Sequence, residues 1–214
     1  MELARRVGLA VAAVELVSVL GRYALLVERF DCIPGTHRRR ALVSALTMLE
    51  LDEMMARYAS YADLAELIRA RFSDAQATLR ELFSRIVFNI LVGNTDDHAR
   101  NHAAFWNGET LALAPAYDIC PQGRSGGEAT QAMAIGPDGN KFSQVGGCVR
   151  CARTYGLSES EAREIIDHQI EVIIGEWDEI ADRAELTTVD REYFWHRQVL
   201  NPYALEGYAG PAGI

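Results

Sequence analysis

The stretch "FNILVGNTDDHARN", residues 88–101, decides how this chain is read. An apolar run from Phe88 to Val92 stops at Gly93-Asn94, a pair suited to the C-terminus of a helix. Asp96, Asp97, His98 and Asn101 then follow, with His102 just beyond. Core packing has no use for so many polar groups in succession, so the cluster reads as a site placed at the end of a buried helix.

The surrounding sequence supports that placement. Upstream, Ser73 and Asp74 can cap a long helix in which Leu79, Leu82, Phe83, Ile86, Val87, Ile90 and Leu91 make a wide apolar stripe. Downstream, HAAFW and TLALA read as two short strands joined by Asn107-Gly108, a strong hairpin signal, and Asp118 follows the second strand. Residues 119–141 read as a long, mobile connection with one strand at QAMAIG. Helical patterns then run through FSQVGGCVRCARTYG, a long segment opened by the capping box Ser158-x-x-Glu161, and REYFWHRQVL, with the final ten residues as a disordered tail.

Nearer the N-terminus, residues 2–8 are expected to be helical, and VELVSVL and YALLVERF to form a small hairpin about Gly21-Arg22. From Arg38 onward RRALVSALTMLEL, DEMMARY and YADLAELIRARF all carry helical periodicity, with no strand expected among them. The expected class is α+β, mostly α, with a β-hairpin carrying the polar cluster at its base.

Composition bounds the function. Hydrophobic residues make up 49%, enough for a core, and the formal charge of −9 argues against broad binding of nucleic acid. The local basic stretch HRRR, 37–40, reads as a solvated loop. Without an apolar run long enough to span a bilayer or a signal-peptide pattern, the chain is expected to be cytoplasmic, with no membrane partner. Cys148 and Cys151 form the one C-x-x-C pair, and with no second pair to complete a zinc site they read as buried thiols.

Phosphoryl transfer needs a carboxylate to orient the attacking hydroxyl and oxygen ligands to hold Mg²⁺ against the nucleotide phosphates. Protein kinases supply these as D-x-x-x-x-N followed by a second aspartate beyond a short hairpin. Asp96 and Asn101 have that spacing, and Asp118 lies beyond the expected hairpin. Each residue alone could be a turn former, a loop amide or a cap; the combination carries the weight. A metal-dependent hydrolase using Asp96, Asp97, His98 and His102 is the competing reading, although the two histidines lack a helical i, i+4 frame. On the residues alone, His98 reads as a hydrogen bonder that shapes the loop and His102 as structural.

Together, LLVERFD (25–31), SALTMLEL (44–51), SYADLAELI (60–68), FNILVGNTDDHARN (88–101) and LAPAYDICP (113–121) resemble the C-terminal part of HipA-family serine/threonine kinases, the toxins of bacterial toxin–antitoxin modules. The resemblance implies a protein-kinase-like C-terminal lobe over residues 32–214, with residues 1–31 a remnant of the N-terminal lobe. It implies ATP and Mg²⁺ as cofactors and a hinge whose backbone meets the adenine at Glu28, Arg29 and Phe30. It also implies Asp96 as catalytic base with His98 beside it in the motif, and Asn101 and Asp118 as Mg²⁺ ligands. Family members phosphorylate proteins, aminoacyl-tRNA synthetases in known cases. A HipB-like helix-turn-helix antitoxin restrains them and carries the DNA contact.

The chain departs from the family upstream of the hinge. A kinase covers the phosphates with a glycine-rich loop and contacts them with a strand lysine. Here no G-x-G-x-x-G precedes Glu28, and the only lysine is Lys141. An arginine is no simple replacement for that lysine. MELARRVGL resembles the middle of the helix that follows the lysine strand in the family. Three states are therefore open: a shortened product, the C-terminal half of a split kinase completed by another chain, or a nucleotide-binding remnant that serves as a non-catalytic module.

Overall fold

A computed structural model of the chain describes residues 1–123 and 127–211. Positions 124–126 of the expected long connection and 212–214 of the expected tail lie outside the described residues. In chain order the elements are α1 (Glu2–Arg6), β1 (Val14–Val19), β2 (Arg22–Val27), β3 (Ala41–Ser44), α2 (Ala45–Met48), α3 (Tyr61–Arg71), α4 (Ala75–Val92), β4 (Ala103–Trp106), β5 (Leu111–Leu113), α5 (Val145–Arg150), α6 (Glu159–Arg183) and α7 (Thr188–Phe194). Short 3₁₀ helices lie among them, including one at Ala99–Asn101 inside the polar cluster.

Helix α4 organises the rest. Its Asp74 cap accepts a hydrogen bond from the Ala77 amide at 3.1 Å. Leu82, Phe83, Ile86, Val87, Ile90 and Leu91 are wholly buried. Each such side chain contributes about 1.5–3 kcal/mol relative to exposure. Helices α3, α5 and α6 pack round α4, and Phe83 meets Tyr155 with ring centroids 5.5 Å apart. In α6, Ile166, Ile170, Ile173, Trp177 and Ala181 are buried at three- and four-residue steps, as an amphipathic helix requires. Trp177 then stacks on Trp195 at 5.0 Å. Both the Ser158–Glu161 capping box and a second one, Thr187–Asp190, are formed.

The sheets differ from expectation in one informative way. β1 and β2 form the expected antiparallel hairpin, ending at Val27 rather than Phe30. Ala41–Ser44, expected to be helical, is instead a strand that pairs antiparallel with β4 and makes a three-stranded sheet in the order β3-β4-β5. Four residues are too few for periodicity to separate strand from helix. The ladder partner Ala103–Trp106 is distant in sequence, and Ser44 marks the switch by capping α2. QAMAIG (131–136), expected to be a strand, makes only one isolated bridge, Ala134 with Ser60, next to a second bridge between Thr130 and Phe142. The tail expected from residue 205 is tied down in part, because Tyr208 donates to the Asp167 carboxylate of α6 at 2.8 Å.

The exit from α4 is fixed by Gly93, which adopts the left-handed conformation at φ 72°. A β-carbon there would lie 2.8 Å from the Gln198 carbonyl oxygen. Gly93→Ala combines left-handed strain with a backbone clash, and is expected to cost about 2 kcal/mol or more. A calorimetric melting temperature lower than wild type by about 4–8 °C would bear this out; an unchanged one would refute it.

Candidate active site

Gly93 turns the chain out of α4, and the next nine residues cross to β4 as a tight loop. The loop is held by one buried carboxylate. Asp97 is 4% exposed. Its Oδ2 accepts hydrogen bonds from the Tyr61 hydroxyl of α3 (2.6 Å), the Asn89 amide of α4 (2.8 Å) and His102 Nε2 (2.9 Å). Asn89 is oriented in turn, its Oδ1 accepting from Asn94 Nδ2 at 3.0 Å. Burial pushes the Asp97 pKa up, but the neighbouring His102 imidazole, the hydrogen bonds from His102 and Tyr61, and the Arg85 guanidinium outweigh it and hold the carboxyl below its ordinary value. Burial and the Asp97 charge push the Tyr61 phenol well up, so it stays a donor. An ionised Asp97 can only accept, so His102 Nε2 carries a proton and donates it.

Asp96, the next residue back, is exposed. Asn101 is 6% exposed and ends the 3₁₀ turn, its backbone amide donating to the His98 carbonyl at 2.8 Å. Its Nδ2 donates to Asp118 Oδ2 at 2.9 Å across the hairpin, so the two residues expected to share a cation do meet. Asp118 is held at φ 57°, a left-handed conformation uncommon for a residue with a β-carbon. Among the described residues, the buried side-chain atoms without a hydrogen-bond partner include His98 Nδ1, Asn101 Oδ1 and His102 Nδ1, all within five positions. Buried polar groups are ordinarily paired, so their concentration here marks a place built for something beyond the chain.

The expected hinge is tied to this floor. Phe30 meets Phe105 of β4 edge-on, ring centroids 6.1 Å apart, and Tyr117 at 5.6 Å. Tyr117 donates to the Arg100 carbonyl at 2.5 Å, and burial followed by the Asp118 charge pushes its pKa up to about 12. The Glu28 amide donates to the Ala13 carbonyl at 2.9 Å. The Arg29 guanidinium is turned to Asp31 at 2.6 Å. Lys141 is remote in role, its Nζ donating to the Ala132 carbonyl at 2.9 Å and stitching a loop together. Glu2 is bound to Arg5, and also to Arg6 and Arg183; the Arg5 hydrogen bond is the largest influence holding its carboxyl at about 2.

Several supporting residues escape a reading of the sequence alone. Arg85 is 3% exposed in α4. It pairs with Glu81 at 2.8 Å and donates to the carbonyls of Ala10 (3.2 Å) and Ala114 (3.0 Å), pinning the segment before β1 to the segment that leads to Asp118. Its only signal is a charge inside an apolar stripe, and Asn89 offers the same kind of signal one turn later. Tyr61 gives none. The hydrolase alternative loses ground, since Asp97 and His102 are spent on each other. Among the described residues no group of three His, Cys, Asp or Glu is placed to hold a metal ion. Cys148 and Cys151 are buried free thiols, as expected, and no helix among the described residues is long and apolar enough to cross a membrane.

Comparison with known proteins follows the same lines. The family model for the HipA-like C-terminal domain matches residues 1–177. The chain is 30% identical over 138 residues to the serine/threonine-protein kinase toxin HipA of Shewanella oneidensis, a match covering 56% of this chain and 32% of that protein. A chain from the Shewanella oneidensis MR-1 HipA, HipB and operator DNA complex superposes with a TM-score of 0.76 at 24% identity, covering 92% of this chain and 51% of that one. The Helicobacter pylori proinflammatory kinase CtkA superposes with a TM-score of 0.62 at 14% identity, over 95% of this chain and 82% of that one. The match thus takes in about a third of the curated relatives' length, 30% and 32%. The fold is the kinase-like one of these structures, and the chain belongs to the HipA-like C-terminal domain family.

Proposed function

We propose that this chain is the catalytic-loop part of a HipA-type serine/threonine protein kinase, which transfers the γ-phosphoryl group of ATP to a protein hydroxyl. The observation that carries the reading is the pairing of Asn101 with Asp118 across the hairpin, with Asn101 Oδ1 buried and unpartnered beside it. Mg²⁺ takes hard oxygen ligands, and a carboxamide oxygen together with a carboxylate suits it. Asn101 and Asp118 would hold that ion, which when bound neutralises charge on the nucleotide phosphates.

In this reading Asp96, exposed at the loop's outer edge, receives the proton of the attacking hydroxyl. His98 follows it in the motif and shapes the loop through its carbonyl bond to Asn101. The base of ATP is taken by the backbone of Glu28, Arg29 and Phe30, on the aromatic floor of Phe105 and Tyr117. Toxin activity, a HipB-like antitoxin and an aminoacyl-tRNA synthetase substrate accompany this reading by family membership. The glycine-rich loop and lysine are supplied from sequence outside these residues, either upstream in one chain or on a second chain.

A specific observation favours a second reading, a kinase-like module that binds an antitoxin or a completing partner without transfer. The sole lysine is spent on the Ala132 carbonyl. The two readings separate on phosphate transfer. With labelled ATP, candidate synthetases and the neighbouring gene products, the first expects transfer that falls about 10²–10⁴-fold in Asp96→Asn. Transfer absent from every combination, with antitoxin binding intact in Asp96→Asn, would establish the second.

Nucleotide binding gives an independent check. Mn²⁺ can stand in for Mg²⁺ in electron paramagnetic resonance, and Asn101→Ala and Asp118→Asn are each expected to weaken Mn²⁺–ATP binding by more than about tenfold. Affinity unchanged in both variants would remove the proposed ligand pair.

A further inference from the structure

We propose that Asp97, clamped by Tyr61, Asn89 and His102, is a positioning residue that sets the geometry between Asp96 and the Asn101–Asp118 pair. This rests on the kinase reading for what is positioned, while the clamp itself rests on the hydrogen bonds alone.

The loop from Gly93 to His102 has little apolar burial of its own to fix its shape. Asp97 lies near its middle, and one oxygen of its carboxylate takes donors from three separate places: α3, α4 and the entry to β4. Those donors are themselves immobilised. Tyr61 is wholly buried at the first turn of α3, and its ring meets His102 edge-on at 5.7 Å. Asn89 is held by Asn94, whose backbone amide also donates to the Asn89 carbonyl at 2.8 Å. The His102 carbonyl accepts from Ala45 at 2.7 Å, which ties the loop to the start of α2. Thr95 is anchored separately, its carbonyl accepting from the Ala132 amide at 3.1 Å.

Two consequences follow for the neighbours of Asp97. With its side chain drawn inward, Asp96 is turned out to solvent, where a substrate hydroxyl can reach it. His102 directly follows Asn101, so fixing the His102 ring fixes the direction from which Asn101 reaches Asp118. The charge matters as well as the shape, because a carboxylate serves three donors more strongly than a neutral carboxamide does. A side chain retained only for stability would leave the local order of this loop no more sensitive than the rest of the core.

The test uses the full chain, with its completing partner where transfer requires one, and the variants Asp97→Asn, His102→Ala and His102→Gln. Hydrogen exchange is read separately over residues 94–102 and over α6, alongside circular dichroism and Mn²⁺–ATP affinity. Asp97→Asn and His102→Ala are expected to speed exchange over 94–102 by about tenfold, the size of one lost charge-assisted hydrogen bond, with α6 unchanged and Mn²⁺–ATP affinity reduced by a similar factor. His102→Gln, which restores a donor near the Nε2 position, is expected to recover most of that loss. Where transfer is measurable, kcat falls more than KM rises. Unchanged exchange over 94–102 overturns the proposal, and so does faster exchange spread evenly over α6. If the wild type binds no Mn²⁺–ATP, the kinase reading fails, and the exchange pattern still decides whether the clamp exists.

Discussion

The structure depends on the C-terminal half of α4, where every residue from Arg85 to Val92 is buried. A stretch so enclosed has no face to give to solvent, so each polar group it carries must find a partner within the protein or impose a cost of about 1–3 kcal/mol. Arg85 and Asn89 meet that demand by reaching out of the helix to the segments around it. The same requirement that keeps the core dry thus fixes the strand leading to Asp118 and the loop carrying Asp96. Site and core are one construction, with the polar exceptions in the helix acting as its joints.

Family membership gives this arrangement a context without replacing the physical account. The relatives share the fold over most of this chain, while the chain spans about half of the matched HipA structure. On the proposed kinase reading, what is present is the floor of a phosphoryl-transfer site, with Asn101 and Asp118 paired across the hairpin. The β1–β2 hairpin stands with every β2 residue exposed, including Leu25, Leu26 and Val27. A lone two-stranded ribbon of that kind is marginal in water.

Much of this was legible from residue order alone. The caps at Asp74 and Ser158, the stop at Gly93 and the Asn107-Gly108 turn are local chemistry, and local chemistry is what sequence displays most directly. The asparagine of the D-x-x-x-x-N spacing and the aspartate beyond the hairpin do meet in space, as Asn101 and Asp118. Strand β3 was hidden because its evidence is a distant ladder partner, and QAMAIG looked like a strand because its apolar residues are buried without a ladder to join. Asp97 was read as one of several carboxylates in a polar cluster. Its three donors come from positions 61, 89 and 102, and no spacing rule links them.

The contact of Phe30 with Phe105 and Tyr117 has a mechanical consequence. Kinase-like lobes close over nucleotides by rotating about a few residues that absorb the change in backbone angles. Here the far end of the hinge is riveted by aromatic packing to the strand that follows Asn101 and to the residue before Asp118. On the proposed kinase reading the pivot would be confined to the short span between Val27 and Phe30, and the hairpin would be a lever whose fulcrum lies against the proposed metal-ligand pair. A base stacked at that fulcrum would sense lobe rotation directly, while the Asn101–Asp118 pair stayed still beneath it.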